Sequence, residues 1–473
     1  MDIVTVVVAW CGVWTFGVML VLALRAPFEW AAPGEAAWTK GCGFFAGAFV
    51  LTLWMRALSA AGIAFGIVSI VLPLLLVAAG AGYLAHRRGT LRWPWLRAAL
   101  VEAIRVHELA GWRRGIWFAI IAWLVLRYAL LFVDVTLQPL YPWDAWIQWA
   151  TKARVWFEFK RIVPFVDTAQ WLAAQGAAYT DASPGYPATV PLWQVFSCVM
   201  LRRWDDVLMN IPWWMLGIAL PVALYGALRR MRFDALGAMV GAALVATLPL
   251  VNVHVALAGY ADLPMAAYFT LATLALLRAF ATRDRGDAAI AVIFAVACPM
   301  IKTPGIVWLL TLAAPAVVLL MPRRGVRIVA VAFAVTLIVL LVLAQTSASV
   351  LGYQLHLEFS PPWNALFESL FMLGTWNILW YGVAAAAIIG ARDWLKPGVA
   401  PLTMLVGAGV LFLFFVFAFT NARAWVESQT TVNRAVLHLA PLMLVWVMLV
   451  FREWAARHEA APTLRHSRES GNP

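Results

Sequence analysis

Long apolar runs recur along the whole chain, and they constrain its fold more than any other feature of the sequence. A membrane-spanning helix needs about 20 apolar residues, and runs of that length fill most of the 473 positions. Only 12% of the residues are charged, about half the share that is usual in soluble domains. Because a backbone in lipid must satisfy its own hydrogen bonds, these runs predict helices. The expected fold is all-α, a polytopic membrane helix bundle.

The apolar runs predict about 13 transmembrane helices. The expected spans are 3–24, 42–60, 63–84, 115–136, 206–228, 234–256, 261–280, 288–301, 304–321, 328–346, 375–391, 399–420 and 435–452. The first run begins with Asp2 instead of a basic residue and has no clear small-residue cleavage site, so it predicts a retained helix rather than a signal peptide. Arg56 interrupts the second run, which makes the segment 42–84 the least regular part of the pattern.

The basic residues predict an orientation. They give the chain a formal net charge of +12, but they fall in short clusters between alternate spans, as the positive-inside rule expects, and not along one polar face. We therefore expect no nucleic-acid partner. The clusters lie at 87–114, 229–232, 283–285, 323–327, 392–396 and after Phe451. They predict a multi-pass protein of the bacterial inner (plasma) membrane with a cytoplasmic C-terminus, whose polar residues 453–473 form a disordered tail.

Unusual residues concentrate on the opposite, outer side. The first outer loop, 137–204, is expected to be partly helical and places one carboxylate, Asp144, between Trp143 and Trp146. Apolar walls make a carboxylate a proton acceptor, and tryptophan faces stack on sugar rings. The alternative is an interfacial aromatic belt in which Asp144 only caps the helix that starts at Ala145.

Two further outer turns carry isolated charges. In Gly259-Tyr260-Ala261-Asp262-Leu263-Pro264, the acid either assists a metal or an acceptor, or simply begins a helix. The run 288–320 is too long for one span and holds Lys302-Thr303-Pro304-Gly305 at its middle. A lysine inside a membrane is a functional candidate by default, whereas a turn lysine can also face lipid phosphates. We predict two short helices that present Lys302 at the outer face.

The last outer turn carries Arg434 and His438, which lie four residues apart and are expected to share one helix face. An arginine and a histidine together suit a phosphate or pyrophosphate. The alternative is that Arg434 extends to the lipid headgroups. No P-loop, dinucleotide-binding glycine pattern or HExxH motif occurs, and the four cysteines lack metal-ligand spacing.

Taken in order, these motifs resemble the GT-C superfamily of polyprenyl-phosphate-sugar glycosyltransferases, especially the bacterial relatives of protein O-mannosyltransferases and of lipid A aminoarabinose transferases. The resemblance rests on Trp143-Asp144-Ala145-Trp146, Tyr186-Pro187, Pro191-Leu192, Tyr260 to Pro264, and Lys302. It covers residues 115–452, and residues 1–114 look like additional helices with a basic cytoplasmic loop. Many relatives carry two adjacent acids where this chain has Asp144-Ala145.

The resemblance implies transfer of a sugar from a polyprenyl-phosphate donor to an envelope lipid, glycan or protein at a periplasmic site. Asp144 and Asp262 are the implied catalytic residues. The implied substrate-binding residues are Trp143, Trp146, Lys152, Tyr186, Tyr260, Lys302, Arg434 and His438. The motifs identify no definite cofactor, and a divalent metal cation beside Asp262 is an open alternative. The competing interpretations are a secondary transporter or flippase for an anionic or lipid-linked substrate, and a glycan polymerase or ligase.

Overall fold

The computed structural model describes residues 1–28, 30, 32–91, 109–342, 346–350 and 353–469. These residues are mostly helical, which confirms the all-α fold class, although one two-stranded antiparallel sheet was not expected. The chain divides into two compact units, Met1–Leu309 and Leu310–Pro473. Arg92 and Arg97, which the orientation argument uses, lie outside the described residues.

The first unit contains the helices that surround the candidate site. Its α-helices are α1 (Asp2–Leu24), α2 (Glu35–Ala60), α3 (Ile67–Arg87), α4 (Gly111–Leu137), α5 (Thr151–Phe159), α6 (Thr168–Ala173), α7 (Thr189–Leu201), α8 (Ile211–Arg230), α9 (Ala235–Ala246), α10 (Pro249–Ala256), α11 (Asp262–Thr282), α12 (Arg285–Ile301) and the start of α13 (Gly305–Thr311). A π-helical turn, Ala145–Ala150, precedes α5, and a 3-10 turn, Leu208–Asn210, precedes α8.

Helix α2 is held to its neighbours by contacts between small residues. A Cβ on Gly17 of α1 would lie 1.8 Å from the carbonyl oxygen of Gly43. On the other side of α2, a Cβ on Gly226 of α8 would lie 2.2 Å from the backbone nitrogen of Trp38. Only glycine fits at either position, so the helix backbones touch directly, as is usual for helices that pack within a membrane. The N-terminal helices are therefore an integral part of the first unit.

The short helix α7 lies in the core of this unit. All its residues from Thr189 to Val199 are buried. The Trp193 ring packs against Trp10 of α1 with 6.1 Å between ring centroids, and the Trp10 Nε1 donates a hydrogen bond to Ser197 Oγ at 2.9 Å. The expected outer loop 137–204 is thus partly helical, and one of its helices packs inside the unit.

The second unit contains the remaining helices and the sheet. Its elements are α14 (Ala313–Leu320), α15 (Gly325–Val342), β1 (Thr346–Val350), β2 (Tyr353–Leu357), α16 (Trp363–Phe367), α17 (Leu379–Ile389), α18 (Ala400–Phe419), α19 (Arg423–Glu427), α20 (Val432–Leu437) and α21 (Ala440–Glu469). The strands pair antiparallel, with Thr346 opposite Leu357 and Val350 opposite Tyr353. Leu357 packs on Ala418 and Phe419 at the end of α18, which attaches the sheet to this helix.

Length and composition do not by themselves confirm the 13 predicted membrane spans. Among the described residues, eight helices are long and apolar enough to cross a membrane, or nine if the bent pair α9 and α10, which meet at 57°, is one span. These long apolar helices indicate a membrane protein. The expected span 304–321 is two short helices, and α17, in the expected span 375–391, has only 11 residues.

Two predicted domain boundaries can be compared with the structure. The boundary at residue 114, between the additional helices and the GT-C-like module, stays a prediction, and packing divides the chain after Leu309. The tail was expected to be disordered from residue 453, but α21 continues to Glu469. Residues 470–473 lie outside the described residues.

Candidate functional site

Asp262 and Lys302 form an ion pair where α11 begins and α12 ends. The Lys302 Nζ donates to Asp262 Oδ1 at 2.5 Å, and the exposed fractions of the two side chains are 11% for the lysine and 1% for the acid. α12 ends at Ile301, and Lys302 takes an extended backbone conformation, with φ −150° and ψ 141°. The predicted break in the helix at Lys302 is therefore present, and a buried acid and base from separate segments meet there; the predicted position at the outer face stays a prediction.

Arg56 lies beside this pair and was not predicted as a site residue. Its Nη2 donates to Thr189 Oγ1 at 3.1 Å, and the same hydroxyl donates to the carbonyl oxygen of Met300 at 2.6 Å. Met300 is two residues before Lys302, so α2, α7 and α12 converge here. The signal in the sequence was a single arginine within an otherwise apolar run, which is a functional candidate. Its partners could not be identified because they lie more than 130 positions away in the chain.

The segment that contains Asp144 packs on the turn that contains Asp262. Gly259 has a left-handed backbone, φ +102°, and a Cβ there would lie 2.8 Å from the Cβ of Ala145. Asp144 is half-buried and immediately precedes the π-helical turn, and its side chain makes no capping hydrogen bond. The interpretation of Asp144 as a helix cap is therefore wrong. Single π-helical turns occur often at functional sites.

The aromatic residues of the predicted site divide into two groups. Trp143 and Trp146 are exposed and make an edge-to-face pair with ring centroids 5.2 Å apart. Tyr186 stacks on the buried Trp149 at 5.2 Å with an interplanar angle of 16°. Tyr260 lies against the His254 ring at 5.3 Å. The first pair presents free ring surface, whereas Tyr186 and Tyr260 each use a ring face for internal packing.

Lys152 is part of a second buried ion pair. Its Nζ donates to Asp181, and also to the Ser183 carbonyl oxygen at 2.8 Å. The exposed fraction of each charged side chain is at most 2%. Burial lowers the pKa of Lys152, while the hydrogen bond and charge of Asp181 act in the opposite direction. These contacts fix α5 to the loop around residue 181, so the described geometry gives Lys152 a structural position; its predicted contact with substrate stays untested.

Arg434 and His438 belong to the second unit. Arg434 is half-buried on α20, and His438 is buried at the residue that ends this helix. The backbone of His438 is still helical, φ −59° and ψ −29°, so the two residues remain one turn apart as expected. Because this unit is described by itself, a meeting of Arg434 or His438 with Asp262 stays a prediction.

The donors near Asp262 do not fit a metal ion. Within the part of the chain that the structure describes, no group of three His, Cys, Asp or Glu side chains could hold one. The nearest cation to the Asp262 carboxylate is already supplied by Lys302. A divalent cation would have to displace an ammonium group at hydrogen-bond distance. We derive no step through a metal.

No protein-family model, curated protein or solved structure matches this chain. The resemblance to GT-C glycosyltransferases therefore rests only on the residues named above.

Proposed function

We propose that the protein is a membrane glycosyltransferase that moves a sugar from a polyprenyl-phosphate donor to a hydroxyl or phosphate of an envelope lipid, glycan or protein. One observation carries this proposal: four chain segments that each bear a rare charge meet at one end of the first unit. They are the Asp144 segment against Gly259, the Asp262–Lys302 ion pair, and Arg56 on Thr189. Charged residues inside so apolar a bundle are functional candidates.

The cations at this end suit a phosphate leaving group. The Lys302 ammonium group, which donates to Asp262, is of a kind that also donates to phosphate oxygens. An arginine such as Arg56 can offer a planar pair of donors to phosphate oxygens. Donors that are already fixed in position stabilise the charge that gathers on the departing phosphate without reorganising. In this proposal, Asp262 holds Lys302 in place, and Lys302 and Arg56 bind the phosphate.

Asp144 would act as the general base. It accepts the proton of the acceptor hydroxyl while the acceptor oxygen bonds to the anomeric carbon. The bond from that carbon to the phosphate oxygen breaks, and its electron pair leaves with the polyprenyl phosphate. Attack from the face opposite the phosphate inverts the anomeric centre. The exposed rings of Trp143 and Trp146 supply a stacking surface for the sugar.

The proposal includes a location and an orientation. The protein lies in the bacterial inner membrane, this end of the first unit faces the periplasm, and the arginine-rich ends of the helices face the cytoplasm. It also includes about 13 spans in total. The additional spans are the 17-residue α12, the segments Gly305–Leu320 and Leu379–Ile389, and the apolar start of α21.

Asp144→Asn tests the catalytic proposal. The gene is first deleted and the envelope lipids and glycans are analysed by mass spectrometry for a single missing sugar, which identifies the product. Complementation with Asp144→Asn should then lower product formation by about 10²- to 10⁴-fold, the usual contribution of a general base. The matched control is Asp167→Asn, since Asp167 is an exposed acid of the same loop that caps α6. Wild-type product levels with Asp144→Asn would refute the role of this residue.

One feature favours a transporter instead. A buried lysine and acid at a helix break also resemble the coupling sites of secondary transporters. Purified protein in sealed vesicles separates the two functions. A glycosyltransferase joins the donor sugar to an acceptor, so the sugar's mass moves to a new molecule. A transporter moves an unchanged substrate across the membrane, and this result would replace the proposed function.

A further inference from the structure

A second cluster of charges lies at the other end of the helices that form the candidate site. Arg278 lies 16 positions after Asp262 on α11, about 24 Å along the helix. Glu35 begins α2, 21 positions before Arg56. The members of this arginine cluster are Arg25, Arg229, Arg230 and Arg278, with the acids Glu35 and Asp287. The two clusters are thus separated by about the thickness of a bilayer core.

The acids of this cluster hold several arginines each. The Glu35 carboxylate contacts Arg25 at 2.5 Å, Arg230 at 3.1 Å and Arg278 at 3.7 Å. Arg230 also pairs with Asp287, which is 1% exposed. Among the residues that the structure describes, the four arginines of the cluster outnumber its two acids, so this part of the first unit is rich in positive charge.

The cluster borders an open cavity of about 530 Å³, which we call the cationic cavity. The charged residues of its wall are Glu35, Arg229, Arg230, Arg232, Asp234 and Arg278. Asp234 is engaged elsewhere, because its carboxylate pairs with Arg113 and caps α9. Among the described residues of the cavity wall, four are arginines and two are acids. The cavity is therefore suited to an anion with several oxygen atoms.

A groove of about 400 Å³, which we call the apolar groove, lies between α2, α4, α8 and α9; its wall is mainly apolar and also contains Lys40. The same helix faces line both spaces. On α8, Ile218, Val222 and Tyr225 line the groove and Arg229 lines the cavity, and residues three or four apart share one face of a helix. Pro33, just before α2, lines the cavity, and Ala37 on α2 lines the groove. The groove opens at the surface, because the side chain of Val125 in its wall is 65% exposed.

We propose that the cationic cavity and the apolar groove together bind one anionic phospholipid. The phosphodiester headgroup would contact Arg229, Arg232 and Arg278, and an acyl chain would lie along Ile218, Val222 and Tyr225. Basic pockets between membrane helices bind anionic headgroups in this way. The groove selects a lipid over a soluble anion, since phosphate alone has no apolar part to fill it. The adjacency of a multi-arginine cavity and an apolar groove on one helix face carries this inference, which does not depend on the proposed function.

Native mass spectrometry of the full-length protein in detergent tests the proposal. The probes are phosphatidylglycerol, phosphatidylcholine and glycerophosphoglycerol, which is the headgroup without acyl chains. We expect phosphatidylglycerol to bind at least tenfold more tightly than either other probe. Equal binding of both phospholipids would overturn charge recognition. Binding of glycerophosphoglycerol as tight as the intact lipid would show a soluble-anion site and overturn the role of the groove.

Two variants assign the binding to this place. Arg232→Gln with Arg278→Gln should weaken phosphatidylglycerol binding by about fivefold for each arginine removed. Val222→Trp should fill the groove and weaken binding of the intact lipid, while binding of glycerophosphoglycerol should stay unchanged. The control for charge is Arg283→Gln with Arg285→Gln, two exposed arginines at the same end but outside the cavity wall. Thermal melting shows whether each cavity variant is folded. If a folded variant binds the lipid as tightly as the wild type, the lipid binds elsewhere and the assignment is refuted.

Discussion

The two ends of the first unit bury charge in different ways. At one end, Asp262 has Lys302 as its ion-pair partner, and Arg56 is bound by a hydroxyl and a carbonyl. At the other end, Glu35 alone contacts three arginines. A single pair leaves a charge uncompensated when either partner is lost, whereas a cluster with surplus arginines tolerates the loss of one. The first arrangement suits a fixed reaction site, and the second suits the attraction of an anion from outside.

The sharpest test of this difference asks whether the two ends face different compartments. In a Cys11→Ser background, which removes the exposed native cysteine, Ala182→Cys marks the end with the ion pair and Arg283→Cys marks the end with the arginine cluster. Both positions are exposed. We expect a membrane-impermeant maleimide to label Ala182→Cys in intact cells and Arg283→Cys only after permeabilisation. Labelling of both in intact cells would remove the proposed orientation.

The next largest effect should come from Asp262→Asn. Without the carboxylate, the 11% exposed Lys302 ammonium loses its buried counter-charge, and breaking a buried ion pair destabilises a fold by about 3–5 kcal/mol. Thermal unfolding of the purified protein in detergent measures the change. The control is Asp262→Asn combined with Lys302→Met, which removes both charges and should recover most of the loss. If the single and double variants melted alike, the ion pair would not be the source of the effect.

The sequence predicted the individual helices better than the contacts between them. Runs such as 3–24 and 261–280 became α1 and α11 within a few residues, because apolar length is a local property. Asp262 and Lys302 were each singled out as rare charges, yet their pairing depends on how α11 packs against α12. Arg56 was noted only as an interruption of a span. Its contact with Thr189 joins residues 133 positions apart and has no local signal.

Helix α7 and the sheet show the same limit. The apolar residues of α7 are too few for a span, so the sequence placed them in an outer loop, and only the surrounding helices make them core residues. The pairing of β1 with β2 was not expected because no alternating pattern longer than five residues marks either strand. Local patterns therefore predict fold class, while tertiary contacts decide the site.

A smaller effect is expected from Gly259→Ala, which tests how closely the Asp144 segment approaches the Asp262 turn. The new Cβ would lie 2.8 Å from Ala145 Cβ, on a backbone with φ +102°. Such a conformation costs about 1–3 kcal/mol for a residue with a side chain. Thermal unfolding should show this loss, and product formation should fall as Asp144 is displaced. Adding Ala145→Gly should recover the part of the loss that comes from the clash; no recovery would mean that the backbone strain alone is responsible.

The smallest effect on stability is expected from Arg278→Gln in the arginine cluster. Its contact with Glu35 is long, 3.7 Å, and its side chain is 34% exposed, so its ion pair is worth about 1 kcal/mol at most. The melting temperature should hardly change, although phosphatidylglycerol binding should weaken. A loss as large as that of Asp262→Asn would show that the two ends do not differ in tolerance.

The direct backbone contacts of α2 with α1 and α8 fix the position of α2 and also the apolar height of the first unit. Glu35 and Arg56 are 21 positions apart on this helix, about 30 Å, and the glycine contacts leave no space for α2 to bend or slide. The apolar height of the first unit is then fixed, close to the hydrocarbon thickness of an average bilayer. In a markedly thicker membrane the bundle would have to thin the lipid around it or draw a charge inward. The thickness of the bilayer should therefore determine whether the charged clusters at both ends of the first unit lie at the membrane surfaces.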